Sequence, residues 1–312
     1  MASPSSDSLL SLTTEQQNLA SRALDSRSAL EIATIINHED ARVAAAVSKA
    51  LPEIAQAIDA IADALSRGGR LIYIGAGTSG RIAALDAAEC PPTFSTDPKQ
   101  VQFVMAGGEK ALGRAIEANE DSPELGRRDL AKLKPAKKDV VVGIAASGRT
   151  PYTVAAIEYA KKKGARTVGV SCNPGSLLSE VADVAITADV GPEVISGSTR
   201  MKAGTAQKMI LNMLTTGAMT RLGYVYGNLM VHVALKNKKL VERGITILSK
   251  AADVDRERAR DALEKSGKSV PLALIMLKTG VTLSQARRRL KSAGGNVRKA
   301  ITLSRSAKPS VC

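Results

Sequence analysis

The sequence predicts an α/β protein whose centre is a doubly wound parallel sheet of five strands. The first observation is a series of five short apolar runs without polar/apolar alternation, which is typical of strands covered on both faces. The second is that helical stretches lie between several of these runs. The third is composition: aromatic residues make up only 2% of the 312 residues, so Ala, Val, Leu and Ile must build the core. The five runs are 71–74, 101–105, 140–145, 167–171 and 184–186.

Helices are expected before and between these strands. The Ser- and Thr-rich residues 1–14 predict a disordered N-terminus, and a first helix is expected over 15–36. A second helix is expected over 43–65, where apolar residues recur at spacings of three and four. Pro52 lies inside this stretch and predicts a kink or a break. Two further helices are predicted over 151–163 and 204–222.

The composition changes beyond residue 248, where glycines separate three or four short helical segments. The residues Gly280-Val281-Thr282-Leu283 and Gly295-Asn296-Val297 resemble a small ubiquitin-associated-like helical bundle. Such a bundle serves more often for interaction or dimer stabilisation than for catalysis. The expected domains are a disordered segment 1–14, a main domain 15–247 and a small basic helical domain 248–312.

The positive charge of the protein is concentrated near its C-terminus. Residues 236–312 contain 19 Lys and Arg against 6 Asp and Glu, so this segment carries nearly all of the net charge of +14. A basic segment can bind RNA or an anionic surface, but this one contains no aromatic residue that could stack on bases. We therefore interpret the charges as solvated helix faces and expect no nucleic-acid partner.

The rare residue types exclude several classes of site. Three Cys and two His argue against a disulfide framework, a Cys/His zinc site and a Ser-His-Asp triad. The sequence has no run of about 18 apolar residues and no charged-then-apolar N-terminal pattern. We expect no bound metal, no contact with a membrane, and a reducing, cytoplasmic location.

Two turns between a strand and a helix carry the binding chemistry. Residues 74–81 read Ile-Gly-Ala-Gly-Thr-Ser-Gly-Arg, and residues 145–151 read Ala-Ala-Ser-Gly-Arg-Thr-Pro. Glycines let the backbone approach an anion, and the N–H groups at the start of the next helix point towards it. Either turn alone also fits an ordinary Ser or Thr helix cap. As a pair at one sheet edge, they predict a site that grips a phosphomonoester from both sides. The candidate ligands are Gly77, Thr78, Ser79, Ser147, Gly148, Arg149 and Thr150.

The first turn also matches the Gly-x-Gly-x-x-Gly pattern of dinucleotide-binding domains. Those domains place an acidic residue about 20 positions later, at the end of the second strand, where it bonds a ribose hydroxyl. The corresponding region here reads Asp97-Pro98-Lys99-Gln100, with no carboxylate at the end of the second strand. We therefore expect no dinucleotide cofactor.

Longer blocks extend the motifs Gly-x-Gly-Thr-Ser and Ser-Gly-x-Thr, which resemble those of the sugar isomerase (SIS) domain. The blocks 75–94, 143–152 and 191–214, together with 226–231 and 237–240, resemble the N-acetylmuramic acid 6-phosphate etherase family. The resemblance covers nearly the whole chain. It implies an SIS-type αβα sandwich, a homodimer and a small-molecule phosphosugar as substrate. It also implies cleavage of the D-lactyl ether of N-acetylmuramic acid 6-phosphate to N-acetylglucosamine 6-phosphate and D-lactate, without a cofactor.

The same resemblance implies which residues act. Glu89 and Glu120 match the positions of catalytic glutamates, and we assign Glu89 as the acid for the lactyl oxygen and Glu120 as the base at C2. A hydroxyl-rich basic loop after the fifth strand is expected to line the pocket, although a structural or dimer-interface loop fits about equally well. Within it, Arg200 or Lys202 would meet the lactyl carboxylate. The candidate residues of this loop are Ser196, Ser198, Thr199, Arg200 and Lys202.

Two other functions remain open. A phosphosugar-sensing protein that regulates a partner, like the glucokinase regulatory proteins, needs the two turns but not both glutamates. An aldose–ketose phosphosugar isomerase removes the C2 proton but needs no acid at an ether oxygen on C3. The carboxylates of Asp86 and Glu117 are interpreted as ordinary solvent-exposed groups.

Overall fold

The computed structural model describes residues 12–114, 119–235 and 237–303. Five parallel strands form one sheet in the order β2-β1-β3-β4-β5. They are β1 (Leu71–Gly75), β2 (Val101–Met105), β3 (Val140–Ile144), β4 (Arg166–Ser171) and β5 (Val184–Thr187). All five predicted strands are confirmed. β1 and β3 are buried along their whole length, which explains why their sequences do not alternate.

The helices around the sheet mostly follow the prediction. They are α1 (Ala29–Asp40), α2 (Val43–Ser48), α3 (Leu51–Ser66), α4 (Gly77–Phe94), α5 (Pro123–Ala131), α6 (Pro151–Lys162), α7 (Leu177–Val181) and α8 (Lys202–Leu222). Pro52 lies in the first turn of α3, so the predicted break separates α2 from α3. Among the described helices, none is both long and apolar enough to span a bilayer.

The prediction of one helix over 15–36 is wrong for its first half, which forms short 3-10 turns instead. The reason is that Asn18 and Ser21 donate side-chain hydrogen bonds to backbone carbonyls of the loop 192–194. The segment is thereby bonded to a distant loop rather than wound into its own helix. The predicted disordered N-terminus lies outside the described residues except at its end, where Thr14 is fully buried.

The described residues divide into two compact units. The sheet unit takes the residues up to Ala87 and Lys99–Thr215, and the helical unit takes Ala88–Pro98 and the residues from Thr216 onward. The helices that complete the helical unit are α9 (Lys238–Ala252), α10 (Arg256–Lys265), α11 (Val270–Thr279), α12 (Leu283–Ser292) and α13 (Val297–Thr302). Because α9 packs with α10 and α11, this division falls before the expected one at residue 248.

Candidate active site

Both predicted phosphate turns leave the carboxyl edge of the sheet from neighbouring strands. β1 and β3 pair in parallel, with Gly75 at the end of β1 opposite Ile144 at the end of β3. Neighbouring strands lie about 4.8 Å apart, so the two turns begin side by side. We call residues 75–80 the first loop and residues 145–150 the second loop. The structure therefore brings together the two motifs that carried the prediction of a phosphate site.

The first loop contains glycines where a side chain does not fit. A Cβ on Gly80 would lie 2.7 Å from Met105 Cγ, and one on Gly75 would lie 3.0 Å from the Ile144 carbonyl oxygen. Gly77 begins α4 with a φ of +52°, in the left-handed region that favours glycine. The N–H groups in the first turn of a helix have no partner within it, so this end of α4 is suited to an anion.

The first loop is packed against the N-terminal part of α8. Ser79 is 7% exposed, and its hydroxyl donates to Gln207 Oε1 over 3.0 Å. One turn earlier on α8, a Cβ on Gly204 would lie 3.5 Å from Thr78 Cγ2. The Ser79 hydroxyl is therefore fixed by a residue from a distant part of the chain.

Glu120 lies beside the first loop. A Cβ on Gly77 would lie 3.0 Å from Glu120 Oε1, so the glycine leaves room for this carboxylate. The Tyr152 N–H on α6 donates to the Glu120 carbonyl over 3.1 Å, which ties the backbone of Glu120 to the helix after the second loop. α5 packs on α6 so closely that a Cβ on Gly126 would lie 2.0 Å from the Tyr152 carbonyl oxygen. The Glu120 backbone is therefore tied to α6, and its carboxylate lies beside the first loop.

The second loop is also shaped by a glycine, but its hydroxyls are less confined. Gly148 has a φ of +66°, and a Cβ there would lie 2.3 Å from the Ser176 side chain. Ser147 Oγ accepts a hydrogen bond from the Arg149 N–H over 3.2 Å. Thr150 precedes the first turn of α6, but its side chain makes no capping hydrogen bond there. The ordinary-cap interpretation therefore does not account for the Thr150 hydroxyl.

A buried ion pair fixes the start of α8. Lys202 is 1% exposed, and its Nζ donates to Glu39 Oε2 over 2.5 Å. Glu39 also accepts from Asn18 Nδ2 over 2.8 Å and from Arg42 Nη1 over 3.1 Å. Burial raises the pKa of Glu39, but the hydrogen bonds from Lys202 and Asn18 more than offset this, so its pKa lies below the ordinary value. The ammonium of Lys202 is thus paired with Glu39, so Arg200 is the more available of the two residues named for the lactyl carboxylate.

The rest of the loop after β5 is held by backbone and carboxylate contacts. Glu193 is fully buried and accepts from the N–H groups of Lys202 and Ala203 over 3.0 and 2.9 Å. Ser196 Oγ donates to the Gln16 carbonyl over 3.3 Å. The other predicted ligands in this loop are Ser198 and Thr199, which are half-buried, and Arg200, which is exposed. The exposed arginine therefore remains the candidate partner for a substrate carboxylate.

Glu89 is exposed and lies on α4, twelve residues after the first residue of that helix. Asp86, one turn before it, is 4% exposed, contrary to the expectation that it faces solvent. It accepts from Tyr73 Oη and Asn212 Nδ2, each over 2.8 Å, and burial raises its pKa. Glu117 lies outside the described residues.

The described ranges contain no group of three or more His, Cys, Asp or Glu side chains placed to hold a metal ion. Cys90 and Cys172 are buried and form no disulfide. Burial, with the nearby carboxylates of Glu193 and Asp189, raises the pKa of Cys172 to about 12. Its thiol is therefore protonated at neutral pH and is not an activated nucleophile.

Sequence reasoning missed Gln207 and the partnership of Glu39 with Lys202. Gln207 lies between Ala206 and Ile210 on a helix face that is otherwise fully buried and apolar. A polar residue in an otherwise apolar helix face is a sequence signal, and it could have identified Gln207 as a residue with a specific partner. The pairing of Glu39 had no such signal, because its partner lies 163 residues away.

A parallel five-stranded sheet with two hydroxyl-bearing loops at adjacent strand ends defines a protein of the SIS-domain class. Comparison with known families agrees. Residues 122–217 match the SIS domain, and residues 53–161 match the glucokinase regulatory protein N-terminal SIS domain.

Relatives that match nearly the whole chain identify the family. The N-acetylmuramic acid 6-phosphate etherase of Pasteurella multocida is 52% identical over 292 residues, which are 94% of this chain and 97% of that protein. The etherase of Edwardsiella ictaluri is 52% identical over 93% of this chain and 97% of its own. An etherase of Bacillus licheniformis is 50% identical over 94% of this chain and 96% of its own. The chain belongs to the N-acetylmuramic acid 6-phosphate etherase family.

Proposed function

We propose that this protein is a carbon–oxygen lyase that converts N-acetylmuramic acid 6-phosphate and water into N-acetylglucosamine 6-phosphate and D-lactate. The observation that carries the proposal is the pair of loops at adjacent strand ends with Glu120 beside them, in a chain about half identical to named etherases along nearly its whole length. The enzyme would serve the breakdown of cell-wall amino sugars.

The chemistry requires one base and one acid. In the open-chain aldehyde, the C2 proton is α to the carbonyl and the lactyl oxygen is attached to C3. A base removes the C2 proton, the electron pair forms the C2–C3 double bond, and the C3–O bond breaks as an acid protonates the lactyl oxygen. Water then adds its oxygen to C3, and a proton returns to C2. The two carboxyl groups thus transfer the protons in both the elimination and the addition of water.

The phosphate is assigned to the two loops. The first turn of α4, with Gly77, Thr78 and Ser79, supplies backbone and hydroxyl donors on one side. The second loop supplies Ser147, Gly148, Arg149 and Thr150 on the other side. Among the candidates of the loop after β5, Arg200 is assigned to the lactyl carboxylate, because a guanidinium matches a carboxylate with two parallel donors.

Glu120 is assigned as the base and Glu89 as the acid. Because Glu89 is exposed on α4, its carboxylate is accessible to a second copy of the chain. We therefore propose a homodimer in which Glu89 of one protomer acts on the sugar bound by the other.

The direct test is to incubate the pure protein with N-acetylmuramic acid 6-phosphate in deuterated water. We expect release of D-lactate and one solvent deuterium at C2 of the product. Folded protein that releases no D-lactate would rule out the lyase, and a product without deuterium at C2 would rule out the elimination route. N-Acetylmuramic acid without its phosphate is the matched control and should react much more slowly.

The shared site is tested by mixing two inactive variants within one dimer. Glu89→Gln and Glu120→Gln chains are co-expressed with different tags, so that half of the dimers carry one chain of each kind. If the glutamates meet across the dimer, each mixed dimer keeps one intact site, and the preparation has about a quarter of the wild-type activity. If both glutamates act within one chain, no dimer has an intact site and the mixture stays inactive.

A phosphosugar-sensing regulator remains the alternative, because part of the chain matches the glucokinase regulatory protein domain. A regulator would bind N-acetylmuramic acid 6-phosphate without releasing D-lactate, so the same assay separates the two functions. Cys90 and Cys172 form no disulfide, which suits a reducing compartment, and we propose the cytoplasm.

A further inference from the structure

The side chain of Gln207 combines burial, a contact with the first loop and a donor without a partner. Gln207 is 1% exposed, and its Oε1 accepts from Ser79 Oγ over 3.0 Å. Its Nε2 is buried and has no hydrogen-bond acceptor among the residues that the structure describes. A buried amide donor without a partner destabilises a protein, because nothing replaces the hydrogen bond that it makes to water in the unfolded chain. An unpaired donor on Gln207, beside the first loop, therefore calls for a functional explanation.

The orientation of the carboxamide decides where the Ser79 proton points. In the described orientation, Ser79 donates to Gln207 Oε1, so its proton is directed away from the first loop. A carboxamide has nearly the same shape when its end is turned by 180°. In the turned orientation, Nε2 donates to Ser79 Oγ. The hydroxyl proton is then available to an anion at the first turn of α4.

The backbone that carries Gln207 is fixed, so rotation of the terminal amide is the smallest movement that changes this hydrogen bond. The start of α8 is capped by the buried Glu193 carboxylate and held by the ion pair of Lys202 with Glu39. One turn before Gln207, Gly204 packs against the first loop.

We propose that Gln207 is a positioning residue of the phosphate site, which donates from Nε2 to Ser79 Oγ and thereby directs the Ser79 hydroxyl proton onto a bound phosphate. Hydrogen bonds to a charged acceptor are stronger than those between neutral groups, so a bound phosphate favours the turned orientation. The inference rests on the proposed function in one respect: it requires the phosphate of the sugar to lie at the first loop.

The test measures binding separately from catalysis. Calorimetry with N-acetylglucosamine 6-phosphate gives the affinity of the wild type and of Gln207→Met, which keeps the length of the side chain but has no amide. We expect the variant to bind about tenfold more weakly, with KM raised by a similar factor and kcat changed less than about twofold. Ser79→Ala should show the same loss. The double variant should bind no more weakly than Ser79→Ala alone, because Gln207 acts through Ser79.

Two further variants separate this role from a purely structural one. Gln207→Glu has the same shape but only acceptor atoms when ionised, so it should bind more weakly than Gln207→Met; it also replaces that variant if the latter fails to fold. Gln102→Met makes the same chemical change on β2, away from the carboxyl edge of the sheet, and should leave binding unchanged.

Unchanged affinity in the Gln207 variants, or additive losses with Ser79→Ala, would overturn the inference while leaving the phosphosugar site in place. If the wild type binds no phosphosugar at all, the proposed function fails, and the role of Gln207 fails with it.

Discussion

The first and second loops have similar sequences but are held in different ways. The Ser79 hydroxyl of the first loop is buried and bonded to α8, and Gly77 of the same loop lies against the Glu120 carboxylate. In the second loop, Gly148 lies against Ser176, and the Thr150 side chain makes no bond to cap its helix. The first loop is therefore coupled to the proposed base and to a distant helix, whereas the second loop is a simpler anion-binding turn. Changes near the first loop should therefore alter catalysis more than changes in the second.

The largest effect is expected for the proposed base beside the first loop. Glu120→Gln should lower both D-lactate release and exchange of the C2 proton by about 10³-fold, because no other group is assigned to remove that proton. Glu89→Gln should abolish D-lactate release but keep part of the C2 exchange, since the base is intact. Product analysis by NMR in deuterated water measures both. The reverse pattern would exchange the roles of the two glutamates.

Lys202→Met should strongly destabilise the helix that supports the first loop. It leaves the Glu39 carboxylate buried without its ammonium partner, which should lower the free energy of unfolding by about 3–5 kcal/mol. Urea unfolding at neutral pH measures this loss. A loss below about 1 kcal/mol would mean that the pair does not hold α8.

The same pair predicts a pH dependence with a defined sign. Because the folded-state pKa of Glu39 lies below its ordinary value, its contribution to stability is complete above the ordinary carboxyl range and is lost as the pH falls through the lowered pKa. Unfolding measured between neutral pH and about pH 3 should show a smaller acid-induced loss in Lys202→Met than in the wild type. Equal slopes for the two proteins would contradict this account.

Alanine at the positive-φ glycine of each loop should affect stability in the second loop and catalysis in the first. Gly148→Ala should lower the free energy of unfolding by about 2–3 kcal/mol, because its Cβ would meet the Ser176 side chain. Gly77→Ala should cost about 1 kcal/mol of stability but lower kcat by about 100-fold, because its Cβ would displace the Glu120 carboxylate. Unfolding and initial-rate measurements on both variants test the contrast. Equal losses of kcat would remove the distinction between the loops.

The smallest effect is expected for the hydroxyls of the second loop. Ser147→Ala and Thr150→Val should each raise KM by about fivefold with little change in kcat, because each removes one hydrogen bond that holds the phosphate in ground and transition states alike. Steady-state kinetics measures both parameters. An unchanged KM in either variant removes that hydroxyl from the phosphate site.

Local sequence patterns were sufficient to predict the sheet, the two loops and the family. Unbroken apolar runs mark strands that are buried on both faces, and glycine with hydroxyl residues at a strand end marks a turn that can approach an anion. These signals are local, because each is contained in a few consecutive residues. The break at Pro52 and the start of α6 at Pro151 are local for the same reason.

Which polar groups remain available to a ligand depends on tertiary packing. Lys202 was a candidate pocket residue and is buried against Glu39. Asp86 was interpreted as a solvent-exposed carboxylate and instead accepts from Tyr73 and Asn212. Gln207 belongs to no sequence motif, yet it accepts a hydrogen bond from Ser79. The bonds of Lys202 with Glu39, Asp86 with Asn212 and Gln207 with Ser79 each join residues more than 120 positions apart. Burial and pairing of a charge depend on which segments pack together, and the side chain's own neighbours in sequence do not specify that.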